Sequence, residues 1–237
     1  MAETRPDELT QTALAMLAAP NADTWAIVEY LASHTDALTA SQRCDELLRQ
    51  LYNERKLLAA FAMGRAAVQF GLSAAAREAN PKRAEALRSA AKTAAYNLAA
   101  NTWPGWDDPG VTLTSSDLAI GLDAARTNLR LARELNKPEI ALGRAHWLLG
   151  AHQLAAGDRK SARDSFREAS KHETAANEPG EAMHSDAFAQ LCDLLEAPND
   201  KQADERLAKA LESLRKQKDG EFFASQVDSA RRVFGPK

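Results

Sequence analysis

The chain has 237 residues and sets 30 Lys and Arg against 33 Asp and Glu, for a formal net charge of −3. That length suits one elongated repeat array or one large helical domain with a sizeable core, with two domains left open. The charges are mixed throughout without a basic stripe, which argues against nucleic acid as a partner.

Alanine is abundant, β-branched residues are scarce, and the 11 Gly and 9 Pro cluster between periodic segments, which favours helix nearly everywhere. No window approaches eighteen uninterrupted apolar residues, and the start MAETRPDELT lacks the basic-then-apolar order of a secretory signal. The expectation is a soluble, cytoplasmic protein with no membrane partner. Cys44 and Cys192 stand alone, without a CxxC or a nearby ligating residue, and read as small buried apolar side chains in a reducing compartment.

In chain order, Pro6 to Ala18 carries Leu9, Ala13, Leu14 and Leu17 at helical steps and is stopped by Pro20. A second helix starts at Asp23 or Thr24 and presents Ile27, Val28 and Leu31. Thr39 or Ser41 is expected to cap a third, lined by Leu47, Leu48 and Leu51, which either breaks near Asn53 or runs on. Lys56 to Glu78 is apolar on more than one side, as a central helix between two neighbours would be. Asn80 and Pro81 open a helix to about Ala100 with an Ala-rich buried face. Residues 101–114, NTWPGWDDPGVTLT, form the one long non-helical stretch, and two tryptophans in it predict an ordered loop rather than a linker.

Ser115 or Ser116 is expected to cap the next helix, which runs through Leu135. Ala141 to Ser170 then reads as two helices joined by Gly157-Asp158, the glycine taking positive φ and the aspartate capping the second helix. Further helices are predicted over Glu178 to Leu195, Lys201 to Lys216 and Glu221 to Phe234, the last suited to cap an array.

Within Ala141 to Ser170 the Leu149-Gly150 pair is followed by Ala162, Phe166 and Ala169, small residues that permit close helix approach and a large one that fills the next layer. This pattern resembles the tetratricopeptide repeat (TPR). Its Ala, large apolar, Ala spacing occurs three times: Ala125, Leu129, Ala132; Ala162, Phe166, Ala169; Ala203, Leu207, Ala210. Those copies lie 37 and 41 residues apart against the family's 34, and the best match covers 116–214. His146 and Gln153 stand where the family has aromatic residues, and its closing Pro is missing near Thr174. The resemblance implies an all-α, TPR-like α-α solenoid, a right-handed superhelical array of ten or eleven helices in antiparallel hairpins. Residues 1–237 are then one repeat domain with a less regular part over 1–100, the Trp-rich loop over 101–114 and the TPR-like part over 115–237; whether 1–100 holds degenerate repeats or a separate subdomain is left open.

Two stretches are site candidates. In the WPGWDDPG loop, Trp103 and Trp106 form either an aromatic platform, with Asp107 and Asp108 facing a cationic or hydroxyl-bearing ligand, or a plug packed over the concave side. The plug carries more weight, since tryptophan pairs are more often packing anchors. By resemblance to the repeat family, Arg144, Trp147, Ala151, Leu154 and Ala155 would line a peptide groove. It lacks the Lys and Asn residues that clamp a terminal carboxylate, Trp147 and Ala151 standing in two of those places; a Trp147 merely covered by a neighbouring helix is the equal alternative.

The histidines suggest no chemistry. His146 and His152 lie about 120° apart around a helix, and His184 and Cys192 are about two turns apart, too far for a metal pair or a nucleophile and base. HExxH, GxSxG, phosphate-loop and dinucleotide fingerprints are absent, so no cofactor and no catalytic residue is expected. The leading expectation is a non-catalytic scaffold that binds a partner protein or peptide on its concave surface. The alternatives are a small-molecule sensor or enzyme with a pocket under the 103–110 loop, and a homo-oligomeric structural scaffold.

Overall fold

The computed structural model describes residues 7–19 and 22–236; Pro6 and Pro20, expected to bracket the first helix, lie outside them. The described residues hold no strand and form eleven α-helices: α1 (Glu8–Leu17), α2 (Thr24–His34), α3 (Ala37–Asn53), α4 (Leu57–Arg77), α5 (Pro81–Asn101), α6 (Ser115–Glu134), α7 (Glu139–Ala155), α8 (Arg159–Ala175), α9 (Pro179–Glu196), α10 (Lys201–Arg215) and α11 (Gly220–Phe234). They fall into two compact units, Met1–Asn101 and Thr102–Lys237.

Aspartate is the usual start signal. The side chains of Asp7, Asp23, Asp36, Asp158 and Asp200 each accept from backbone N–H groups in the adjoining first turn, satisfying donors that a helix leaves free. Two expected caps are corrected. Asp36, not Thr39 or Ser41, opens α3, accepting from Leu38 and Thr39 N–H. Thr114, not Ser115 or Ser116, caps α6 in a reciprocal capping box with Asp117.

Four helices end in one kind of turn. Arg55, Asn136, Gly157 and Asn177 take φ of 61°, 46°, 81° and 61°. The N–H of the next residue in each case reaches back to a carbonyl in the last helical turn, Leu51, Ala132, Gln153 and Glu173, at 2.9–3.0 Å. This is the Schellman arrangement, which the sequence announces openly only at Gly157. It also settles the third helix, which stops at Asn53.

In the first unit α4 packs against α2, α3 and α5. By length and composition it is the one helix among the described residues able to cross a membrane, and almost half of that apolar stretch is buried within the protein. In the second unit α6 packs on α7, α7 on α8, α8 on α9, and α9 on both α10 and α11. The contact of α7 with α8 is close because Gly150 has no side chain: a Cβ there would stand 3.0 Å from the Phe166 ring and 3.1 Å from the Ala162 carbonyl oxygen. Gly150→Val therefore forces Phe166, which is fully buried, out of its place. The expected cost is about 1–3 kcal/mol, read as a lowered urea midpoint of the second unit.

Candidate functional site

The segment between α5 and α6 is an ordered plug. Asn101 still belongs to α5, and Pro104–Trp106 forms a short 3-10 turn started by the fixed φ of proline. Gly105 is obligatory there, because a Cβ would collide with the Trp103 ring. Trp103 is 2% exposed, and its Nε1–H donates to the Ala151 carbonyl at 2.9 Å. Its ring meets Trp106, Trp147 and Phe188 edge-on, with centroids 4.6, 5.3 and 5.9 Å away. Edge-to-face contacts of this kind suit the charge distribution of aromatic rings.

Beside this wedge runs a column of stacked rings. Trp106 lies on Trp147 at 5.7 Å, Trp147 on His184 at 5.4 Å, and His184 on Phe223 at 4.8 Å, all within 30° of parallel. The column thus links the loop to α7, α9 and α11. Trp106 and Phe223 are half-buried at its ends, and Phe222, next to Phe223, is 62% exposed. His184 is held neutral, its pKa pushed down to about 3 by burial. Trp147 Nε1 and His184 Nε2 are both buried without a hydrogen-bond partner.

The nine candidate residues read from the sequence do not form one open site; Ala155, at the end of α7, is half-buried. Trp147, Ala151 and Leu154 line no groove: all three are buried, and Trp103 and Trp106 occupy the space over Trp147 and Ala151. Arg144 reaches solvent, where it clasps Glu181 of α9 through two hydrogen bonds, 2.8 and 2.5 Å long. Trp103 and Trp106 are core and column. Asp107, in the left-handed region at φ 57°, faces Arg232 of α11 at 3.3 Å. Asp108 closes the loop's next turn, its carbonyl accepting from Val111 N–H.

Of the histidines, His146, His152 and His184 are buried; burial holds His146 and His184 neutral, and His152 packs where α6 presents Gly121. His146 accepts from Arg133 at 3.0 Å and stacks on His172, and burial followed by the Arg133 charge lowers its pKa to about 4. His172 contacts Glu139 at 2.6 Å. Burial pushes both Cys44 and Cys192 thiols up to about 12, which removes the thiolate that nucleophilic chemistry requires. Among the described residues no three His, Cys, Asp or Glu side chains converge as a metal site would need.

Sequence reasoning missed Glu173, which is 2% exposed on α8. It fits because Gly143 of α7 leaves it room, and Ser185 of α9 donates to it at 2.6 Å. Burial raises its pKa to about 8. The available signal was a repeat of spacing: Ser165 likewise donates to Gln153, again twelve residues earlier and again four residues before a left-handed turn. An open cleft of about 550 Å³ at the ends of α9 and α11 is lined by Leu195, Lys201, Asp204, Arg231 and Pro236, and Arg231 is already paired with Asp204 at 2.8 Å. No family model, curated protein or solved structure matches the chain.

Proposed function

We propose that the chain is a non-catalytic interaction scaffold, a TPR-like stack of antiparallel helical hairpins across 116–214, that holds a partner protein or peptide. The observation that carries this reading is the aromatic column and where it surfaces. On the face shared by α7 and α9, the loop fills the level of Ala151 and Phe188, while one turn beyond Trp147 and His184 the Arg144 side chain stays half in solvent, paired with a largely buried Glu181. Exposed Phe222 lies at the end of the same column. A partner segment with an apolar anchor flanked by charge fits such a surface, since rigid aromatic rings lose little entropy on binding and Arg is a frequent anchor.

The groove expected at Trp147 thus moves outward, to Arg144, Glu181 and Phe222. A Trp147 substitution would disturb packing, so the test uses surface positions. Affinity capture from the source lysate is run in parallel with the native chain and with an Arg144→Ala, Phe222→Ala double variant that keeps the native melting profile. A protein retained by the native chain and bound at least about tenfold more weakly by the variant is the expected result. Equal retention by both overturns this placement.

One observation favours a second reading, the small-molecule site under the 103–110 loop: a donor, Trp147 Nε1, and a ring nitrogen, His184 Nε2, are unpaired on neighbouring stacked rings. A hydroxyl-bearing ligand that bridges them would raise the melting temperature of the native chain and leave that of His184→Phe unchanged.

A further inference from the structure

The first unit begins with a helix that is only lightly seated. In α1 Ala13 alone is buried, while Leu9, Leu14 and Leu17 stay half-buried. A helix of this length is marginal by itself in water, so α1 depends on the α2 and α3 surfaces it lies against. One long-range clasp ties it there. Arg43 of α3 donates through Nη1 to Asp7 Oδ1 at 2.8 Å and to Thr10 Oγ1 at 3.0 Å, and its Nη2 stands 2.5 Å from Asp7 Oδ2.

The same carboxylate caps the helix, accepting from Thr10 N–H at 3.0 Å. The cap sets Asp7 and Thr10 side by side, and that pair is what Arg43 reads. Helix formation and docking therefore rely on one group. An element with so little buried surface and a single polar anchor belongs to the part of a fold that opens first.

Every copy of the chain carries both halves of this fit, the seat and the helix that fills it. Residues 18–23 join α1 to α2 and, fully extended, reach about 20 Å, enough to carry the helix to the same seat on an adjoining chain. A mutual exchange keeps every contact of the clasp, so what opposes it is the lost free movement of two chains and the small cost of unseating α1.

We propose that the seat of α1 on α2 and α3 is an exchange site between two copies of this chain. In the dimer each copy's α1 docks on the other, with Asp7 and Thr10 of one against Arg43 of the other. The exchange involves the first unit alone and is independent of the partner surface proposed for the second.

Within one chain α1 has an effective concentration on the order of millimolar, so the native chain should be monomeric at about 10 µM and show a dimer by sedimentation as it approaches about 1 mM. Charge reversal moves that balance. Asp7→Arg and Arg43→Asp each place like charges at the clasp, within a chain and between identical copies alike, and each alone should stay monomeric with the remaining helices folded. Mixed in equal amounts, the two variants regain opposite charges at both seats, but only across copies. The mixture should therefore dimerise at a concentration at least about tenfold lower than the native chain does. Both substitutions in one chain restore the native behaviour. A native chain that is still wholly monomeric at about 1 mM overturns the proposal without any variant. A native dimer that Arg43→Asp leaves intact uses another face and overturns it too, as does a mixture no more dimeric than its components.

Discussion

Trp103→Ala is expected to destabilise the second unit by about 3–5 kcal/mol, the range for removing a large buried aromatic side chain. The ring is 2% exposed and touches Trp106, Trp147, Phe188 and Phe234, rings drawn from the loop, α7, α9 and α11. Its loss leaves a cavity at the point where those elements meet, and the loop loses its hydrogen bond to Ala151. Trp106 then has no edge to rest on, so the near-ultraviolet circular dichroism of the tryptophans should collapse along with the urea midpoint. Trp103→Phe separates the contributions: it retains most of the ring contacts and removes the N–H donor, for a cost of about 1–2 kcal/mol. A Trp103→Ala protein within about 1 kcal/mol of the native chain would show that the loop lies on the helices without wedging them together.

The role of Trp103 also shows where a sequence stops being informative. The helices are legible because their apolar residues recur at steps of three and four and their breaks carry Pro, Gly or Asn; the starts at Pro81 and Lys201 and the end at Phe234 coincide with the expected ones. Caps are less legible wherever several Asp, Ser and Thr compete within a few residues, as at 36–41 and 114–116, because the choice depends on which backbone first turns helical. The site is legible only as a set of aromatic residues. That Trp147 is roofed by the loop before α6 is a long-range fact without a local signature, and the periodicity of α7, apolar on all sides, fits a groove wall and a buried helix equally. Glu173 is invisible for a related reason. A glutamate in a charged run reads as solvated until Gly143 of another helix is known to make room for it.

Glu173 also governs how the second unit responds to pH. Its folded pKa, about 8, lies above the ordinary 4.5, because burial, with Glu181 and Asp186 nearby, outweighs the help of Ser185 and Arg144. Between those two values the folded chain keeps a proton that the unfolded chain has released, so stability is full below pH 4.5 and falls as pH rises towards 8. His146 and His184 act in the opposite sense. Their folded pKa values, about 4 and about 3, lie below 6.5, so they withdraw stability as pH falls from 6.5 through that lower range. The three together place the stability maximum of the unit at about pH 6–7. Glu173→Gln retains an oxygen for Ser185 and cannot ionise. It should therefore raise stability at about pH 8 by about 3–5 kcal/mol while leaving it nearly unchanged at about pH 4.5, where the folded glutamate is as neutral as the glutamine. Urea midpoints of the two proteins at those pH values provide the measurement. A gain of equal size at both would assign the effect to packing beside Gly143 and Ser185, and a loss at the higher pH would mean that the carboxylate is ionised in the folded chain and held there by Arg144.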